Sequence, residues 1–168
     1  MKRIKKQDDL IQKAIDLGAK EARMIDPGSV ITAAWVRIKC QFGCGGYGSN
    51  HCCPPFSPTP EETRRVLDGY AKAILVHCRK ETRVTRLIVK LEREIFLSGY
   101  YKALGFGAGP CCLCRKCVAE CKHPGKTRPS MEACGIDVYA TVRANGYPIE
   151  VVKDKTCEQN YYGLVLIE

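Results

Sequence analysis

The sequence predicts an α+β fold, in which a small sheet is packed by helices and two cysteine-rich metal-binding loops lie outside the regular elements. Amphipathic helical patterns are interspersed with short apolar runs that have the length of strands. Two segments, residues 40–58 and 105–130, are instead rich in Gly, Pro and Cys, a composition typical of irregular loops. With 168 residues the chain is long enough for one core, so a single domain over 1–168 is expected.

The first elements are an amphipathic helix and a strand. The helix is predicted over residues 7–17, since one broad face carries Leu10, Ile11, Ala14, Ile15 and Leu17. The stretch SVITAAWVRIKC, residues 29–40, is rich in β-branched side chains and predicts a strand that delivers Cys40 to the first loop.

The middle of the chain predicts two helices around a buried strand. Thr59 is a good N-cap and Glu62 completes a capping box, which predicts a helix over 60–70. The run AKAILVHC, residues 71–78, predicts a buried strand. Apolar residues spaced by three and four then predict a long helix over about 81–104 that packs across the sheet.

The last third predicts two short helices and two closing strands. Ser130 is suited to cap a short helix in the segment MEACG, and a second helix is expected to end at Gly146. The segments YPIEVV, residues 147–152, and YYGLVLIE, residues 161–168, predict strands.

Composition narrows the class of protein. The N-terminal residues run from basic directly into an amphipathic pattern without the apolar core of a signal peptide, which predicts a cytoplasmic protein. In a reducing cytoplasm, the twelve cysteines are expected to bind metal rather than to form disulfides. No apolar run reaches the roughly 20 residues of a membrane span, so no membrane association is expected.

The net charge of +9 is a weak indication of nucleic-acid binding. Metal binding requires thiolates, and two [4Fe–4S] clusters with four thiolates each would lower the net charge to about +5. No helix-turn-helix, RNP or zinc-finger pattern accompanies the charge, so a nucleic-acid partner is not expected.

The second loop contains the strongest motif of the chain. Its cysteines follow at the intervals of the bacterial ferredoxin run, in which thiolates wrap an iron–sulfur cubane, and they are Cys111, Cys114, Cys117 and Cys121. Zinc is the less favoured alternative, because structural zinc usually takes two well-separated cysteine pairs. Cys112 is in excess and is interpreted as a small buried residue.

The first loop offers three ligands and a spare. Cys40 and Cys44 are separated by three residues, and Cys53 follows after the adjacent Cys52. Since neighbouring cysteines seldom bind one centre together, a fourth ligand has to come from elsewhere or from a non-protein group.

Two pairings of cysteines with clusters are open. In the simpler one, which is slightly preferred, the four cysteines of the second loop share one cluster and the first loop forms a three-cysteine site. In the ferredoxin-like one, Cys53 joins Cys111, Cys114 and Cys117, while Cys121 joins Cys40 and Cys44. A three-cysteine cubane would leave one iron open to substrate, whereas two closed cubanes would suit electron transfer.

The remaining cysteines and histidines are interpreted as structural. Cys78, Cys134 and Cys157 are expected to be buried or incidental thiols. Of these three, Cys134 is the first to consider as an additional metal ligand. His51 and His123 flank the loops and are interpreted as loop residues, with metal ligation or a hydrogen bond to a cluster sulfur as the alternative.

Four segments of the chain form a recognisable set: KCQFGCGGYGSNHCCPP, PTPEETRRVLDGYAKAILV, CCLCRKCVAECKHPGKTRPSMEACGIDVYATVRANGYPIEV and YYGLVLIE. Together they resemble the DUF2284 family, predicted metal-binding proteins of anaerobic archaea and bacteria. The resemblance covers nearly the whole chain after about residue 20. It implies that the metal ligands are Cys40, Cys44, Cys53, Cys111, Cys114, Cys117 and Cys121. It does not require cysteine at 52, 78, 112 or 134, and the interval before Cys121 is shorter than in many relatives.

The function expected from the sequence is that of an iron–sulfur protein with one or two [4Fe–4S] clusters. It would act as a small cytoplasmic redox module that exchanges electrons with a partner protein. One alternative is a cluster-dependent enzyme with an open iron at Cys40, Cys44 and Cys53. Another is a zinc-stabilised binding module.

Overall fold

The computed structural model describes residues 7–168 and contains one antiparallel sheet in that range, with the strand order β1-β2-β4-β3. The strands are β1 Glu21–Ile25, β2 Ala73–Cys78, β3 Leu104–Phe106 and β4 Tyr161–Leu166. The α-helices of the described range are α1 Gln7–Asp16, α2 Ala34–Gly43, α3 Pro60–Asp68, α4 Val84–Leu97 and α5 Val138–Ala144. The predicted α+β class is confirmed.

The two central strands carry the core. Every residue of β2 is buried, and it pairs with β4 in a register that places Leu75 opposite Leu164. Because the side chains of a strand alternate between faces, Ile74 and Val76 pack with α1 and α4 on one side, while Leu75 packs with α3 and α5 on the other. The sheet is therefore covered by helices on both faces.

Helix α4 lies unusually close to β4, which explains a glycine in a buried strand. A Cβ placed on Gly163 would lie 2.7 Å from Ile88 Cγ1, closer than real side chains approach. Gly163 thus permits the close helix–sheet contact at this point.

Local capping signals are confirmed. The Thr59 side chain accepts a hydrogen bond from the Glu62 backbone, and the Glu62 side chain accepts one from Thr59, as in a capping box. Ser130 Oγ accepts a bond from the Ala133 backbone N–H at 3.0 Å, two residues before the 3-10 helix Glu132–Cys134 begins. Beyond α5, Gly146 has a φ of +75°, a conformation that favours glycine.

The strand predicted over residues 29–40 is wrong, since residues 34–43 form α2. Only the segment before the helix is extended, with one isolated bridge between Thr32 and Ile136. The sheet position beside β2 is taken by β1, which the sequence did not predict. Cys40 therefore lies on a helix and not at the end of a strand.

Two further predictions are corrected. Residues 147–152 form no strand, because Pro148 has no N–H and the Tyr147 N–H bonds back to Val142 at the end of α5. The predicted long helix ends at Leu97, where the Ser98 N–H bonds to Glu94 and Gly99 adopts a φ of +107°. Its last predicted residues instead lead into β3.

Within residues 7–168 no helix combines the length and apolar character needed to cross a bilayer. The basic residues before Gln7, on which the interpretation of the N-terminus partly rests, lie outside the described range.

Candidate metal centre

Three of the expected ligands converge at the C-terminal end of α2. Cys40 lies in the last turns of the helix, Cys44 follows directly after it, and Cys53 returns from the first loop. All three line one cavity of about 490 Å³. A Cβ placed on Gly46 would lie 3.5 Å from Cys44 Sγ and 3.6 Å from Cys53 Sγ, so Gly46 leaves the space between these two sulfurs open. These three thiols are called the first site.

Two N–H groups point at sulfurs of the first site. The Gly46 backbone N–H donates to Cys44 Sγ at 3.4 Å, and the Asn50 side-chain amide donates to Cys53 Sγ at 3.2 Å. Such bonds favour the thiolate over the thiol. Burial acts in the opposite direction and raises the pKa of both Cys40 and Cys53, reinforced by the neighbouring thiols. A bound cation would reverse this balance, since coordination deprotonates thiols.

The first loop is fastened to the protein next to these thiols. Arg37 on α2 donates to the Pro58 carbonyl at 2.6 Å, and Ser57 Oγ donates to the Ala133 carbonyl at 2.5 Å. Thr63 on α3 donates to the Cys134 carbonyl at 2.7 Å. The geometry of the first site therefore depends on α2, α3 and the 3-10 helix Glu132–Cys134 together.

Four of the five cysteines of the second loop, all except Cys112, line another cavity, of about 380 Å³. Unexpectedly, a fifth thiol from the first loop, that of Cys52, lies in the same cavity. This set, called the second site, comprises Cys52, Cys111, Cys114, Cys117 and Cys121. Since the backbone is irregular here, the adjacent side chains of Cys52 and Cys53 face different cavities.

Cys52 is held in place by several contacts. Its thiol forms a hydrogen bond of 3.1 Å with the Thr127 hydroxyl, and its backbone N–H donates to Asn50 Oδ1 at 3.0 Å. Burial raises the pKa of the Cys52 thiol, the Thr127 bond lowers it, and the nearby Cys111 and Cys121 raise it again. Cys52 thus interacts with two members of the second loop.

The second loop is tied to α4 and to the first loop. The Arg128 guanidinium forms a two-pronged ion pair with Glu92, at 2.7 and 2.5 Å. Glu92 also accepts a bond of 2.7 Å from the Gly105 N–H. On the other side, His51 Nε2 donates to the Val118 carbonyl at 2.8 Å. His51 therefore acts as a bridge between the two loops.

The remaining thiols have different environments. Cys78 and Cys134 are completely buried in the core, and loss of solvent raises their pKa values to about 11 and about 12. Cys112 is exposed and not buried as expected, with its thiol 3.4 Å from the Pro110 carbonyl oxygen. Cys157 is half-buried beside Asp154.

By cavity lining the expected ligands fall into two sets, and the Cys53 thiol of the first set also lies near Cys111 of the second. Cys121 lines the cavity of the other second-loop cysteines, and Cys53 lines that of Cys40 and Cys44. In the part of the chain that the structure describes, no three His, Cys, Asp or Glu side chains are arranged to hold one metal ion. The thiols line the walls of cavities instead. The sequence signal that would have found Cys52 is its adjacency to Cys53 within an irregular loop.

An α+β protein with two thiol-lined cavities belongs to the class of cysteine-rich metal-binding proteins. The family model described as predicted metal-binding protein (DUF2284) matches residues 23–167, so the chain belongs to this family. The search of curated proteins and the search of solved structures found no match.

Proposed function

We propose that this protein is an iron–sulfur redox protein that carries a [4Fe–4S] cluster at each of its two sites. It works in the cytoplasm as a small electron-transfer module and exchanges electrons with a partner protein. The observation that supports this proposal most strongly is the presence of two separate thiol-lined cavities that share one loop, since the first loop contributes cysteines to both.

The residues present fit such clusters in two respects. Thiols on the walls of a cavity suit an inorganic core of several atoms better than a single ion, for which ligands converge on one point. At the first site, the absence of a side chain on Gly46 leaves room between Cys44 Sγ and Cys53 Sγ. The candidate ligands from the sequence are seven thiolates, namely Cys40, Cys44, Cys53, Cys111, Cys114, Cys117 and Cys121, and the cavity of the second site adds Cys52 to them.

A bound [4Fe–4S] cluster supplies one-electron redox chemistry. The contribution of the chain is to hold the thiolates and to adjust their electron density. Gly46 and Asn50 donate N–H groups to sulfurs of the first site, and such bonds raise the reduction potential. At the second site the Thr127 hydroxyl lies 3.1 Å from the sulfur of Cys52, which lines the cavity beside the expected ligands.

Cysteine variants that separate the two sites test this proposal. In protein purified without oxygen, Cys44→Ala and Cys114→Ala are each expected to lose one cluster, while the other remains reducible by dithionite in electron paramagnetic resonance spectra. Exposed Cys112→Ala is the matched control and should retain both signals. A wild-type protein without acid-labile sulfide would contradict the proposal, and zinc in its place would indicate a zinc-stabilised binding module.

The large cavity of the first site favours a second candidate, a cluster-dependent enzyme with an open iron at Cys40, Cys44 and Cys53. At about 490 Å³ the cavity has the size of a small-molecule site, and aromatic side chains such as Trp35, Tyr47 and Tyr139 contribute to its lining. Glu132 also lines this cavity and is exposed to solvent, while the surrounding protein atoms raise the pKa of its carboxyl.

An exogenous ligand distinguishes the two candidates. Titration with cyanide is expected to shift the spectrum of a cluster with an open iron and to leave a fully ligated cluster unchanged. Trp35 is the only tryptophan of the chain and lines the cavity, so its fluorescence reports whether a small molecule enters. No spectral shift at saturating cyanide would leave electron transfer as the function.

A further inference from the structure

The second site contains one thiol more than a cubane binds. Four thiolates complete a [4Fe–4S] cluster, whereas five cysteines line this cavity. We propose that Cys52, rather than Cys121, is the fourth ligand beside Cys111, Cys114 and Cys117. The inference rests on the proposed iron–sulfur function, and it assigns a metal-binding role to a residue for which neither the ferredoxin spacing nor the family resemblance requires one.

The first argument is the placement of the Cys52 thiol. Cys52 is 6% exposed, and its thiol lines the same cavity as Cys111, Cys114 and Cys117. On its other side the thiol contacts the buried hydroxyl of Thr127 at 3.1 Å. Cys121 is only partly buried, and its neighbour Lys122 is exposed. The buried thiol is therefore better shielded from water and oxygen.

The second argument is that the protein positions Cys52 through contacts that need no metal. The Asn50 side chain accepts the Cys52 backbone N–H, and the preceding His51 is fixed to the Val118 carbonyl of the second loop. Thr127 is held in turn, because its carbonyl accepts a 2.6 Å bond from Arg128, which pairs with Glu92. The Cys52 thiol is therefore held in place by the first loop on one side and by Thr127 on the other.

The third argument is chemical. In bacterial ferredoxins three cysteines at intervals of three residues bind one cluster, and the fourth ligand comes from a separate segment of the chain. Cys111, Cys114 and Cys117 supply such a triplet, and Cys52 is the thiol that another segment brings into their cavity. The sequence suggested that Cys53 of the first loop supplies a ligand to the cluster of the second loop. In the proposed arrangement the adjacent Cys52 supplies it instead.

The test compares Cys52→Ala and Cys121→Ala in the full chain, purified without oxygen. Iron and acid-labile sulfide per chain are measured together with the electron paramagnetic resonance spectrum after dithionite. We expect Cys52→Ala to lose about half of both elements and Cys121→Ala to retain them. Cys78→Ala, in which another buried thiol is removed, is the matched control and should also retain them. Loss from Cys121→Ala, alone or together with Cys52→Ala, would overturn the assignment.

A second variant separates ligation from packing. Cys52→Ser preserves the side-chain volume and the hydrogen bond to Thr127, so thermal unfolding of the protein should remain near wild type. Loss of half the iron, or a changed resonance spectrum of a retained cluster, supports ligation by Cys52. Full iron content with an unchanged spectrum contradicts it.

The failure of this inference differs from a failure of the proposed function. Zinc without sulfide in the wild-type protein would refute the iron–sulfur proposal alone. The comparison would then be read from zinc, because a ligand is required whichever metal is bound. Zinc lost from Cys52→Ala but retained in Cys121→Ala would support the assignment, and the reverse would overturn it.

Discussion

The side-chain amide of Asn50 donates a hydrogen bond of 3.2 Å to the sulfur of Cys53. The other end of the same amide accepts the backbone N–H of Cys52 at 3.0 Å. One side chain thus orients two adjacent cysteines that face different cavities. Asn50 is expected to influence both sites, although it carries no thiolate itself.

Replacement of Asn50 by alanine should lower the reduction potential of the first-site cluster, because an N–H···S bond stabilises the more negative, reduced state. If the bond contributes a difference of about 1 kcal/mol between the two states, the potential falls by about 40 mV, since 59 mV corresponds to a tenfold change for one electron. Potentiometric titration measures the shift. Gln41→Ala, which removes an exposed amide close to Cys40, is the control and should leave the potential unchanged.

Gly46→Ala should reduce cluster binding at the first site. The added methyl group would stand 3.5 Å from Cys44 Sγ and 3.6 Å from Cys53 Sγ, where it occupies the space that a cluster needs. A Cβ on the neighbouring Gly45 would have no atom within 4 Å, so Gly45→Ala is a matched control. Iron and sulfide per chain should fall by up to half in the first variant only. Equal contents in both variants would show that the cluster lies elsewhere.

Glu92→Ala should destabilise the protein and loosen the second loop. Glu92 and Arg128 are mostly buried, so the variant leaves a guanidinium without its partner. The cost is about 2–3 kcal/mol, below the 3–5 kcal/mol of a fully buried pair. Glu158→Ala removes the exposed partner of Lys20 and should cost less than about 1 kcal/mol. Denaturant unfolding of the two variants compares these free energies, and equal costs would contradict the anchoring role of Glu92.

The Cys78 thiol should make stability dependent on pH in alkaline solution. Its pKa rises from the ordinary 9.0 to about 11 because burial in the core disfavours the thiolate. As the pH rises, the unfolded chain therefore loses this proton at a lower pH than the folded protein does. The contribution of the protonated thiol to folding stability is complete below pH 9 and is lost as the pH rises towards 11.

The matching measurement is the unfolding free energy of the wild type and of Cys78→Ala between pH 9 and 11. The wild type should lose stability more steeply, by about 1.4 kcal/mol per pH unit at most. Ionisation of the other groups is common to both proteins and cancels in the comparison. Parallel pH profiles would mean that the thiol titrates normally.

Local signals in the sequence were sufficient for several elements of the fold. The capping box of Thr59 and Glu62 and the cap at Ser130 involve residues only three positions apart, so the sequence contains all the information they need. Strand β2 is equally clear, because both of its faces are buried and it is apolar almost throughout.

Elements that depend on distant partners could not be predicted in this way. Strand β1 alternates between exposed and half-buried residues up to its one buried residue, Ile25, and is defined by its register with β2, where Met24 lies opposite Ile74. Helix α2 buries only Val36, so its helical period is not visible as an apolar stripe facing a core. The role of Cys52 depends on Thr127, which lies 75 residues away in the sequence.

The metal content of the wild-type protein tests the central claim most directly. After purification without oxygen, iron, acid-labile sulfide and zinc are measured per chain. Two [4Fe–4S] clusters correspond to about eight irons and about eight sulfides, which is the result we predict. Stoichiometric zinc without sulfide would contradict the account and would make the two cavities structural metal sites.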